Sequence, residues 1–310
     1  MRRILLDRYH ALDLFRFAID RRTAGERTVL IFITDVNGSS ARPVGTVMVV
    51  TNGGVYAGYV SNGCVDSDIA LHALETLKTG EMKIVRYGEG SPFMDIQLPC
   101  GGGLTACLVP DPDVETLAEF ADTLAARQAV RITLDGRFEI SDEGELGYTP
   151  PLIISAAGRG EDFYFFLKTA RAMGIECRAM SPDAEVLVDA AKLGAKTLHL
   201  EYGQSTTIDG DPWTAFVLLF HDHDHEAPIL KEILEIPAFY IGAMGSRRTH
   251  AARQGILKEM GVASSQIERV RGPVGLIPSM RDAGRLSVSI LAEIIQAEAN
   301  SSVFQGTLAD

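Results

Sequence analysis

Two cysteines stand in glycine-rich company in this chain of 310 residues. Cys64 follows Ser61-Asn62-Gly63 and precedes Val65-Asp66-Ser67-Asp68, while Cys100 precedes Gly101-Gly102-Gly103. The polar flanks of Cys64 favour exposure, and Gly63 lets a ligand approach the backbone. Ile69, Ala73, Leu74 and Leu77 follow at helical spacing, with Asp66 or Ser67 as the expected cap. Cys64 is therefore expected at a helix N-terminus, where a thiol becomes a better nucleophile or soft-metal ligand. A buried packing residue is the competing reading, as for most cysteines. The glycines after Cys100 can present successive N–H groups to an anion, or simply form a turn before a strand at Leu104. Read together, the two loops point to an anionic, sulfur-containing guest. Cys107 and Cys177 lie in apolar strand-like runs and are expected in the core.

Four further stretches carry chemistry-bearing side chains. The loop from Asn37 to Gly45 offers the hydroxyls of Ser39 and Ser40, the cation of Arg42 and a rigid turn at Pro43. These suit a phosphate or a polar heterocycle, and equally a solvated loop. His221-Asp222-His223-Asp224-His225 follows the apolar run FVLLF, at a strand's carboxyl end where α/β sheets place their sites. Alternation would turn three histidines one way, as in a metal tract, though a solvated loop is the plainer reading; His221 alone also suits acid–base work. Gly245-Ser246-Arg247-Arg248 opens a helix, so amides and guanidiniums converge as in an anion site; the alternative is a Ser246 cap with solvated arginines. Gly158-Arg159-Gly160 sits between a strand and a helix, the context of a dinucleotide fingerprint. Phe163 occupies the third glycine's place, and Ser181 stands where an acidic residue is usual, with Asp183 two positions on. A Rossmann-like domain with a weak or absent nucleotide site is as good a reading as a working one.

The elements that must position these residues fall into two sets. Residues 1–149 are expected to form an α+β domain: helix 5–22, strand 28–34, a hairpin of 46–50 and 55–58 around Asn52-Gly53-Gly54, helix 65–78, strands 83–87 and 104–109, helix 113–127 and strand 129–134. The acidic, glycine-containing stretch 137–148 and Pro150-Pro151 mark the boundary. Residues 150–310 alternate strand and helix and close with a long helix over 282–299, which predicts a doubly wound parallel sheet and an overall α/β class. The formal charge of −12 argues against nucleic acid as the main partner. No apolar run approaches the roughly 20 residues of a membrane span. The charged amino end does not read as a signal peptide, and four cysteines without CxxC spacing suggest no disulfide framework. A cytoplasmic protein is expected.

With these residues in view, the chain resembles the XdhC/CoxI family of accessory factors for molybdenum hydroxylases. The resemblance rests on GSSARPVG, TVMVV, YVSNGCVD and PCGGGLTACLVP in the first half, and on the GRG turn, FVLLFHDHD, FYIGAMGSRRTHAAR, GPVGLIP and LSVSILAEII in the second. Such membership implies a chaperone rather than a stand-alone dehydrogenase. It would hold molybdenum cofactor (molybdopterin), help its sulfuration and insert it into an apoenzyme of the xanthine or carbon monoxide dehydrogenase type. A cysteine desulfurase partner and a homodimer are implied with it. The resemblance matches Cys64, Cys100 and His221 to family positions, with the two cysteines as thiolates near molybdenum; the reading of the residues adds Ser39, Ser40, Arg42, Gly63, Asp66, Gly101, Gly102, Gly158, Gly160, Gly245, Ser246, Arg247 and Arg248 as cofactor contacts. Asp66 stands where the family commonly has Glu, and IPSMRDAGR replaces a commonly acidic segment. The alternatives are a nicotinamide-dependent oxidoreductase using NAD(P) at the GRG turn, and a cofactor-free maturation scaffold.

Overall fold

The computed structural model describes all residues except 39, 41, 62, 89–101, 202–206, 221–225 and 305–310. Its described residues separate into two compact units that meet in sequence between Pro151 and Leu152.

The first unit contains β1 (Arg2–Arg3), α1 (Ala11–Thr23), β2 (Thr28–Asn37), β3 (Val47–Thr51), β4 (Val55–Gly58), α2 (Asp66–Thr79), β5 (Lys83–Tyr87), β6 (Gly103–Pro110), α3 (Val114–Ala125), β7 (Val130–Thr133), β8 (Glu139–Ile140) and β9 (Leu146–Tyr148). Its main sheet has the order β1-β4-β3-β2-β6-β5, antiparallel except where β1 runs parallel to β4. The apolar run at the start of β2 is continuous because both of its faces are covered. Leu30 and Phe32 join the core under α1 and α3, while Val29, Ile31 and Ile33 join the core under α2.

One expectation fails here. The first helix begins at Ala11, not at residue 5, because the His10 ring caps it by accepting the Leu12 N–H at 3.2 Å. The residues before it supply β1 along the open side of β4, and Leu5 is exposed. The stretch 137–148, expected to lead up to the boundary without elements of its own, supplies two short strands and part of this unit's core. β8 and β9 flank β7, and Phe138, Leu146 and Tyr148 are buried with α1 and α3. Strands this short carry too few residues for alternation to show in the sequence.

The second unit contains β10 (Ile153–Gly158), α4 (Gly160–Ala172), β11 (Glu176–Ser181), α5 (Ala184–Lys192), β12 (Lys196–His199), β13 (Thr214–Leu219), α6 (Glu226–Leu234), β14 (Tyr240–Ala243), α7 (Arg247–Glu259), α8 (Ser264–Ile267), β15 (Val270–Arg271) and α9 (Ala283–Ala299). All its strand pairs are parallel, in the order β12-β11-β10-β13-β14-β15. This is the doubly wound Rossmann order, with its reversal between β10 and β13. Side chains of α4, α5 and α9 cover one face, and those of α6, α7 and α8 the other. Burial on both faces explains why β10 and β13 are buried throughout. Among the described residues no helix is long and apolar enough to cross a membrane.

Candidate functional site

The loops singled out in the first half emerge at one end of the first unit's main sheet. The pairings Asn37 with Gly103, Tyr87 with Leu104, and Met48 with Gly58 bring the ends of β2, β4 and β5 beside the starts of β6 and β3. A Cβ added to Gly88 would lie 2.4 Å from the Gly102 carbonyl oxygen, so only glycine permits these chains to touch. The Tyr87 hydroxyl donates to Asp68 Oδ2 at 2.6 Å and ties the first turn of α2 to the end of β5.

Cys64 presents an exposed thiol just before α2. Neither Asp66 nor Ser67 caps that helix as expected: Val65 is the cap residue and makes no side-chain bond. The Asp66 carboxylate instead turns back into the loop. Its Oδ1 accepts from the Val60 N–H at 2.9 Å, the Ser61 N–H at 2.9 Å and the Ser61 hydroxyl at 3.1 Å. Ser61 Oγ in turn accepts the Val65 N–H at 2.8 Å. Asp66 is only 2% exposed, so these bonds lock the loop beneath the thiol. Gly63 has φ +117 with open space where a Cβ would stand, which fits both the turn and an approaching guest. Cys107 and Cys177 are buried, and burial pushes their thiols up to about 11 and about 12 respectively, as befits core residues.

Ser39, Cys100, Gly101 and His221, with the rest of the histidine tract, lie outside the described residues. Among the described residues no group of three or more His, Cys, Asp or Glu side chains is placed to hold a metal ion. Gly102 is described and buried, against Gly38 and Gly88.

At Gly58 and Tyr59, the end of β4, opens a cavity of about 330 Å³ that the sequence did not announce. Its lining includes Tyr9 and His10 ahead of α1, Arg42 and Pro43 from the serine-rich loop, Tyr59 after β4, and Tyr148 of β9. Of these, only the Arg42 loop carried a local signal. The others come from separate stretches, and no spacing relates them. Tyr148 donates its hydroxyl to the Gly45 carbonyl at 2.9 Å, holding the loop that carries Arg42. Burial pushes the His10 ring down to about 4, so it stays neutral at pH 7.

In the second unit the glycine turn lies where the strand order reverses. Gly158 ends β10, and a Cβ there would meet the Leu219 carbonyl oxygen at 2.7 Å and Phe163 at 2.9 Å. Phe163 is wholly buried in the place of the fingerprint's third glycine. Arg159 Nη2 reaches Asp183 Oδ1 at 3.5 Å, so the carboxylate nearest a ribose site already has a cationic neighbour. Ser181 is buried and accepts the Asp183 N–H at 3.2 Å. Ser246 caps α7 by accepting the Thr249 N–H at 3.1 Å, and Arg247 and Arg248 are exposed. A capped helix start with two exposed guanidiniums is common to the anion reading and to the solvated one. Gly160 and Gly245 both take positive φ, +72 and +142.

Residues 21–88 match the model of the XdhC and CoxI family, and residues 154–294 match the XdhC Rossmann domain. The molybdenum cofactor insertion chaperone PaoD of Escherichia coli is 34% identical over 91% of this chain and 86% of its own length. The chain belongs to the XdhC and CoxI family. The uncharacterized protein YqeB of Escherichia coli shares 31% identity over 34% of this chain and 19% of its own. A solved structure from Bacillus halodurans, described as a xanthine dehydrogenase, superposes with a TM-score of 0.76 at 18% identity, covering 94% of this chain and 97% of that one. At that identity the likeness speaks to fold, and it extends over both units.

Proposed function

We propose that the protein is a maturation factor that binds molybdenum cofactor as cargo, supports its sulfuration and delivers it to a molybdenum hydroxylase apoenzyme. The observation that carries this reading is the relationship, over most of the chain, to a protein described as a molybdenum cofactor insertion chaperone. The site supports it: an exposed thiol suits a soft, sulfur-ligated metal, and the glycines and Arg42 at the same end of the sheet suit a polar, anionic ring system. Cys64 is the proposed thiolate near molybdenum, with Cys100 as its partner. A cysteine desulfurase would supply the sulfur, and xanthine or carbon monoxide dehydrogenases are the client type. Phe163 and the Arg159–Asp183 pair count against a nicotinamide dehydrogenase at the glycine turn.

Protein purified from a cofactor-producing host is expected to carry pterin and molybdenum, measured as the fluorescent oxidised pterin and by elemental analysis. Cys64→Ser is expected to lower both retained cargo and activation of the client apoenzyme, with little loss of stability because the thiol is exposed. Unchanged cargo and unchanged activation would reject the thiol's role.

A further inference from the structure

The cavity at the end of β4 has a chemistry of its own. Tyr9 and Tyr59 form an edge-to-face pair with centroids 5.2 Å apart, and the Arg42 guanidinium lies 5.9 Å from the Tyr59 ring centre. Arg42 is held in place from several sides. Its N–H donates to Ser40 Oγ at 3.3 Å, and that hydroxyl donates to the Arg42 carbonyl at 2.8 Å. The Gly45 N–H donates to the Ile33 carbonyl at 2.8 Å, and Tyr148 holds the Gly45 carbonyl. Within this frame Arg42 Nε is shut off from solvent and has no hydrogen-bond partner among the described residues. A buried donor left in that state costs on the order of 1–3 kcal/mol, a cost relieved only when the guanidinium swings into the cavity to meet a guest.

Among the described residues no aspartate or glutamate lines the cavity, and its histidine, His10, is neutral with Nδ1 engaged by the Leu12 N–H. Arg3 adds a second guanidinium, 5.1 Å from the Tyr59 ring centre, so two cations stand beside the cavity's tyrosines. That combination fits a flat ring that stacks on tyrosine and carries an acidic group for the guanidinium. The volume lies near the lower end of the roughly 300–1,000 Å³ usual for small-molecule sites, room for a bicyclic ring with one substituent but not for a dinucleotide.

We propose that this cavity is a binding site for a planar heteroaromatic anion. Within the maturation reading, on which this last step rests, it takes the pterin end of the cofactor, with Arg42 on the acidic tail. The loop that begins at Tyr59 on the cavity wall ends at the exposed Cys64, so the sulfur-bearing end of the same guest would leave toward the thiol.

Pterin-6-carboxylate is the probe, with binding read from its fluorescence. The wild-type full chain is expected to bind it, and to bind uncharged pterin about tenfold less tightly or worse. Arg42→Gln is expected to weaken the acidic probe by about tenfold or more, and Tyr59→Leu by several-fold. Arg16→Gln, which removes an exposed charge on α1, is the control expected to leave binding unchanged. Thermal melts establish that each variant folds. Absence of binding, or binding indifferent to both Arg42 and Tyr59, overturns the proposal. If cofactor is nevertheless retained by the purified protein, the maturation reading survives that failure. If the probe binds through Arg42 but no cofactor is ever carried, the cavity assignment stands and the maturation reading falls.

Discussion

At Asp66 a single buried carboxylate oxygen collects three donors from the loop that carries Cys64. Asp66→Ala would leave those donors without an acceptor inside the fold. We expect a loss of about 2–4 kcal/mol in urea unfolding, and faster reaction of Cys64 with a thiol reagent as its loop loosens. A drop of under about 0.5 kcal/mol would show that water replaces the carboxylate without penalty. The sequence placed Cys64 correctly because its polar flanks are local information. It misjudged Asp66, because an acidic residue at the start of a helix reads as a cap whichever way its side chain turns. Arg42 was readable as a cation beside Pro43. Its aromatic neighbours Tyr9 and Tyr59 were not, since only folding brings them together.

Arg253 and Glu226 tie the second unit's elements together at the scale of whole helices. Their ion pair, 2.9 Å long, leaves both side chains 2% exposed or less and joins the first residue of α6 to α7. The same guanidinium donates to the Met244 carbonyl at 2.6 Å, just after β14. Arg253→Met removes the cation of this buried ion pair, and we expect a loss of about 3–5 kcal/mol in denaturant unfolding. Adding Glu226→Gln should recover part of that loss, because it neutralises the carboxylate that faced the guanidinium; a double variant no better than the single one would refute this account. The strand–helix alternation around this pair was legible in the sequence, since long parallel strands and their crossover helices carry strong apolar periods. β8 and β9 were not, because elements of two and three residues are stabilised by β7 beside them rather than by their own pattern. Of the final helix, Ile290, Leu291 and Ile294 are buried, while Val288 and Ile295 stay exposed.

Each unit has its own sheet with helices packed on it, and the second covers both faces of its sheet from within residues 152–304. We therefore expect residues 152–304, expressed alone, to fold and to unfold in one cooperative step by circular dichroism. A fragment without a melting transition would show that this unit depends on the rest of the chain. Net charge and the lack of long apolar runs are enough to bound the function class, since these are sums over residues and ignore their arrangement. Motif order along the chain sufficed for family membership, because the motifs are contiguous. By itself, then, the sequence determined the α/β class, the Rossmann-like second half, the exposed thiol and the family. Only the tertiary structure decided that the ends of β2, β4 and β5 lie at one end of a sheet, that Asp66 braces a loop instead of capping a helix, and that Arg42 faces a tyrosine-lined cavity. Those three depend on contacts between residues far apart in the chain or on side-chain direction, which folding creates and local pattern does not encode.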